Sequence, residues 1–181
     1  MARELDTINN LLKEHQTVDH YLDRFKENIE EQEIFIIQKL TEEQPFEIGQ
    51  LAKRQQYLRQ AITDFYEGSS DHDNREEQIL PQLTGKLLSE ALSIEHKQIR
   101  ELLNGMKTAL ETGWIEKLNL EQVMSQRGDL IAKSRDIKET AAIVSNLIKA
   151  HVAKENTIFG MLRDILASKE HEEEVPEKPE R

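Results

Sequence analysis

Two stretches of this sequence, HDNREEQILPQL at 72–83 and HVAKENTIFGML at 151–162, share the skeleton H-x-x-[RK]-E-x-x-I-[LF]-x-x-L. Each sets a histidine four residues before a glutamate, His72 with Glu76 and His151 with Glu155. On an α-helix, residues i and i+4 lie about 40° apart around the axis and one turn along it. An imidazole and a carboxylate so placed can reach one cation or two adjacent ones. Two further segments repeat as well: LLKEHQTVDHYL at 11–22 lies over LSIEHKQIRELL at 92–103, which sets His15 against His96. The spacing is 57 residues from His15 to His72 and 55 from His96 to His151. The chain reads as a two-helix unit used twice. Duplication alone would preserve a core pattern, but here it preserves four histidines and two glutamates.

Turned inward, His15, His72, His96 and His151 supply four neutral nitrogen donors. Glu76 and Glu155 supply anionic oxygens able to bridge two ions. Mixed imidazole and carboxylate ligation suits iron, manganese or zinc in a two-metal arrangement. Two glutamates near a bundle core carry a heavy desolvation cost unless cations neutralise them. Taken singly, each feature has an ordinary explanation: a core histidine, or a surface i,i+4 pair worth about 0.2–0.5 kcal/mol. The joint pattern favours a metal site.

The elements that must hold these residues are helices. Leu5, Ile8, Leu11, Leu12, His15, Val18, Leu22 and Phe25 recur at three- and four-residue steps, and the first helix can continue through EIFIIQKL at 33–40. A second pattern runs from about Phe46, just after Pro45, to Tyr66. EGSSDHD then predicts an interruption at Gly68, with Ser69 or Ser70 capping a fresh helix. Pro81 predicts a kink or the end of the regular turns. A third helix covers about 89–111, stopped at Gly113. The last covers about 120–168, with a break near Gly128 and an inward face from Ile137 to Ile165. KEHEEEVPEKPER closes the chain as an acidic disordered tail. The expected organisation is residues 1–168 as an all-α, antiparallel up-and-down four-helix bundle and 169–181 as tail.

Composition narrows the function classes. The 181 residues are 33% charged and 5% aromatic, with a formal net charge of −11. That acidity speaks against nucleic-acid or anionic-membrane partners. The absence of cysteine removes disulfides, thiolate ligands and thiol nucleophiles. No apolar run is long enough for a bilayer, and the opening MARELDTINNLLKEH has no signal-peptide core, so a cytoplasmic protein is expected.

The histidine and H-x-x-x-E series through His15, His72/Glu76, His96 and His151/Glu155, with its L-x-x-E-H context and the KEN-x-IF run, resembles the hemerythrin-like, or HHE cation-binding, domains. The resemblance covers about residues 3–168. It implies a four-helix bundle with a bridged, non-haem di-iron centre that binds dioxygen, senses nitric oxide, iron or redox state, or acts as an oxidoreductase on peroxide or dioxygen. Manganese or zinc are substitutes. Oxygen carriers place a second histidine one turn after the third-helix histidine, where this chain has Arg100. They also use H-x4-D in the last helix, where this chain has Asn156 in the later slot. The pattern is closer to the members linked to iron or redox regulation. The cysteine motif of related iron-centre repair proteins is absent, which speaks against that role. Asp19, His20, Glu77 and His171 read as surface or solvated residues, and Glu14 and Glu95 as flank charges that could support the histidines. A metal-free helical interaction module is the bland alternative.

Overall fold

The computed structural model describes the backbone of residues 2–41, 47–111 and 115–173. The elements are α1 (Ala2–Thr41), α2 (Ile48–Thr84), α3 (Lys86–Glu111), a 3-10 turn at Ile115–Lys117, α4 (Leu120–Ser125) and α5 (Arg127–Glu173). Among the described residues there are no strands. Helix α1 packs on α5 and α2, and α3 packs on α2 and α5, so the four long helices form a ring.

The buried stripe of α1 shows why the chain folds this way. Ile8, Leu11, His15, Leu22, Phe25, Ile29, Ile36 and Leu40 all bury, at steps of three, four and seven. The stripe of α3 is equally regular: Ser89, Leu92, His96, Ile99, Leu103, Met106 and Leu110. On every long helix the buried histidine falls between two apolar blocks. One core cluster contains Ile8, Leu11, Leu80, Leu92 and Phe159. The other runs from Leu22 to Leu40 on α1 and takes in Leu51–Ile62, Ile99–Leu110 and Leu130–Val152 on the other helices. The smaller cluster lies before His15 and His96 in α1 and α3, but after His72 and His151 in α2 and α5. That alternation is the up-and-down topology expressed in residues. It places the histidines and glutamates in one polar layer with apolar packing on both sides.

Several boundaries differ from the sequence expectation. Helix α2 is continuous through Gly68, Ser69 and Ser70, so no fresh helix is capped there. Gly and Ser lower helix propensity by at most about 1 kcal/mol each, and the buried anchors Ile62 and His72 on either side outweigh that. A Cβ added at Gly68 would meet nothing within 4 Å. Gly68→Ala is therefore expected to stabilise the fold by about 0.5–1 kcal/mol in denaturant unfolding, whereas a true break would leave stability unchanged or lower. Pro81 sits inside α2, and the helix continues to Thr84.

Gly85 alone joins α2 to α3, at φ 77 and ψ 166, a conformation essentially reserved for glycine. Its carbonyl accepts from the Ser89 amide at 3.2 Å, which starts α3 at Lys86. The break expected near Gly128 is present, at Gln126. The preceding α4 opens with a reciprocal cap between Asn119 and Gln122. At the far end of α5, Ile165 is exposed, and Leu166 packs towards the smaller cluster instead. Helix α5 reaches Glu173, five residues past Ser168. Pro45, Phe46, Gly113 and residues 174–181 lie outside the described residues, as does the side chain of His171.

Candidate metal centre

Helix α1 contributes His15, α2 contributes His72 and Glu76, α3 contributes His96, and α5 contributes His151 and Glu155. All six are buried, with Glu76, His96 and Glu155 at 0% exposure. Their donor atoms form two groups, each within 4.8 Å: His15, His72, Glu76 and Glu155 in one, Glu76, His96, His151 and Glu155 in the other. The two glutamates belong to both. Glu76 Oε1 lies 2.9 Å from His15 Nε2 and 3.5 Å from His72 Nε2, while its Oε2 lies 3.4 Å from His96 Nε2. Glu155 Oε1 lies 3.1 Å from His151 Nε2 and 3.5 Å from His96 Nε2, and its Oε2 lies 3.3 Å from His15 Nε2.

Each imidazole is held from behind. His72 Nδ1 donates to Glu14 at 3.0 Å, and His151 Nδ1 to Glu95 at 2.9 Å. His96 Nδ1 donates to Glu77 at 3.1 Å, and His15 Nδ1 to the Asn156 side-chain oxygen at 2.7 Å. A hydrogen bond at Nδ1 sets the ring orientation and leaves Nε2 facing the centre, as in metal-binding histidines generally. Arg75 anchors Glu14, Lys154 anchors Glu95, and Arg100 binds both Glu77 and Asp73. Phe159 stacks on His15 with ring centroids 5.8 Å apart, closing that side with an apolar face.

The residues fit a cation. His72, His96 and His151 Nε2, Glu76 Oε2 and both Glu155 oxygens are buried without an aligned hydrogen bond. So many unsatisfied polar atoms converging in one layer need an explanation, since buried polar groups are normally paired. Positive charge in the middle of the layer supplies one. The titration of the groups points the same way. Burial alone would lower the His15 and His96 pKa values, but the oxygens of Glu155 and Glu76 override it and push both up to about 10. His151 is likewise raised by Glu155 against burial. Burial would raise Glu155, yet its three histidine neighbours hold it well below the usual carboxylate range. In this pocket either protons or metal ions neutralise the acids.

One expectation needs correction, and two supporting residues are added. Glu77 is not merely a surface group: it holds His96. Asn156, occupying the later slot of the last motif, holds His15. Asp73, which sequence reading passed over, is 5% exposed, bound to Arg100 at 3.1 Å and 4.0 Å from His96 Nε2. Burial raises its pKa, partly offset by His96 and Arg100. Asp19 and His20 are exposed. A usable signal for the supporting pairs was present, because Glu precedes His in both L-x-x-E-H segments and a base stands at the fourth position of both H-x-x-[RK]-E motifs. Removing Glu14 or Glu95 by alanine substitution is expected to weaken metal binding about 10–100-fold in chelator competition. Unchanged affinity would mean that the histidines need no such support.

The hemerythrin HHE cation binding domain family matches residues 8–162. Comparison with curated proteins and with solved structures gives no match. The matched span takes in all six candidate ligands, both core clusters but for Leu166, and the greater part of every long helix, and the chain belongs to the hemerythrin HHE cation binding domain family.

Proposed function

We propose that this protein is a non-haem di-iron binding protein that binds or senses a small diatomic ligand (dioxygen or nitric oxide) or reports iron and redox state. The observation that carries the reading is the pair of donor groups sharing Glu76 and Glu155, with their inward atoms buried and unsatisfied. His15 and His72 would hold one ion, His96 and His151 the other, and the glutamates would bridge them. Iron so held supplies a redox-active centre able to bind small oxygen or nitrogen ligands. The sulfur-free donor set suits iron, and manganese or zinc can occupy the same atoms, since affinity alone rarely decides occupancy.

The chain's own residues do the rest. Glu14, Glu77, Glu95 and Asn156 fix the imidazole orientations, so little rearrangement is needed on binding. Phe159 and the cluster of Ile8, Leu11, Leu80 and Leu92 keep water from one side. On the α1–α2 face a groove of about 620 Å³ extends along Val18, Phe25 and Phe65 to His72. This supports the reading of a small ligand approaching between those helices. Among the described residues no helix is long and apolar enough to cross a membrane.

Elemental analysis with visible spectroscopy, under anaerobic and aerobic conditions, tests the reading. Two iron ions per chain are expected after expression with iron, with a spectrum that changes on exposure to dioxygen or nitric oxide. At most one metal per chain after anaerobic iron reconstitution would sink the dinuclear assignment. Sustained peroxide or dioxygen consumption under reducing conditions would instead make the protein an oxidoreductase.

A further inference from the structure

The two halves of the site are related by the internal repeat, which pairs His15 with His96, His72 with His151, Glu76 with Glu155, Glu14 with Glu95 and Arg75 with Lys154. The same correspondence fails at three positions. Asp73 answers to Val152, Glu77 to Asn156, and Arg100 to Asp19. All three departures place charged groups around His96: Asp73, which also neighbours His72 in the chain, Glu77 and Arg100.

The consequences are local and electrostatic. His96 donates to the carboxylate of Glu77, whereas His15 donates to the neutral amide oxygen of Asn156. Asp73 brings a buried carboxylate to 4.0 Å from His96 Nε2, while its counterpart Val152 is packed in the apolar core. Arg100 binds both Asp73 and Glu77 but neutralises only one of the two charges. Glu14 with Arg75 and Glu95 with Lys154 balance on both sides. The uncompensated negative charge of this cluster therefore lies closest to His96, and no equivalent charge faces His15. The two histidine pairs are almost equally buried, but the α1–α2 groove reaches His72, and its lining includes neither His96 nor His151.

We infer that the two metal positions are unequal: the His96/His151 position binds first and tightly, and the His15/His72 position fills second and exchanges with solution through the α1–α2 groove. The inference rests on the dinuclear reading above and deepens it. Outer carboxylates that support ligating histidines typically shift metal affinity about 10–100-fold, which is the expected gap between the two steps.

The test is anaerobic titration of the full-length, chelator-stripped chain with Fe(II), followed by calorimetry and equilibrium dialysis slightly above neutral pH. The wild-type chain should bind in two resolved steps. His72→Ala should keep the tight step and lose the weak one, His151→Ala should lose the tight one, and Asp73→Asn should draw the two steps together. Two indistinguishable steps in the wild-type chain, which needs no variant to fold, would overturn the inference while leaving the dinuclear reading intact. So would loss of the tight step in His72→Ala. Binding of fewer than two ions would instead remove the dinuclear reading itself, and this inference with it.

Discussion

Glu155→Ala is expected to leave the chain with at most one tightly bound iron, against the two proposed for the unsubstituted protein. Glu155 is fully buried, lies within 3.5 Å of His15, His96 and His151, and belongs to both donor groups. Alanine would remove an anionic donor from both positions at once and leave three imidazoles facing one another across a cavity. Glu76 occupies the equivalent place in the repeat, 0% exposed and between His15, His72 and His96. Glu76→Ala should therefore match it. Neither change should abolish the helices, because the Leu, Ile and Phe clusters on both sides of the polar layer are untouched.

Glu77→Ala should fall between these variants and the unsubstituted chain. Its carboxylate touches His96 and Arg100 rather than the shared centre, so a loss of about 10–100-fold in affinity is expected with two ions still bound at saturation. Iron per chain after anaerobic reconstitution, together with far-ultraviolet circular dichroism, checks all three. If Glu77→Ala lost both ions while Glu76→Ala kept them, the assignment of the bridging glutamate in α2 would be wrong.

Which residues meet in the centre was legible because the same physics was written twice. His15, His72, Glu76, His96, His151 and Glu155 sit on the same stripes as the core leucines and isoleucines, so helical periodicity alone aims them inward. The bundle was legible for the same reason. Local signals misled where packing outweighs them. EGSS reads as a helix break, yet α2 is anchored on both sides of it. The supporting network was harder to see, because it joins different helices. Glu14 serves a histidine on α2, Glu95 one on α5, and Asn156 one on α1. Asp73 was missed because it follows a candidate ligand directly, where helical geometry turns a side chain about 100° away. Here Arg100, one turn beyond His96, draws that carboxylate into the interface between α2 and α3.

Metal should raise the melting temperature, and the rise should grow with pH well beyond the range set by an ordinary histidine. A free imidazole titrates near 6.5, so the sequence alone places proton competition below neutrality. The buried carboxylates move it upward. With metal absent, His15 and His96 are pushed up to about 10, so near neutral pH protons occupy these candidate ligands, and the raised His151 strengthens the competition. Those raised values stabilise the metal-free fold fully below the unfolded value of about 6.5, and the contribution is lost as pH climbs through about 10. Glu155 acts oppositely: its depressed pKa contributes stability above its unfolded value and loses it as pH falls through the folded one. The metal-free chain should thus weaken steadily above neutrality, while proton competition against the metal eases. At free iron of about 1,000 times Kd the metal contributes about 4 kcal/mol. For a domain of this size that is a rise of roughly 8–16 °C. The gap between metal-loaded and metal-free melts should widen from about pH 6 to about pH 9, and iron uptake near neutrality should release protons, measurable by calorimetry in buffers of different ionisation enthalpy. His151→Ala should remove most of the gap and His171→Ala none of it. A gap that stays constant over that pH range, with no proton release, would mean that these histidines are not where the metal binds.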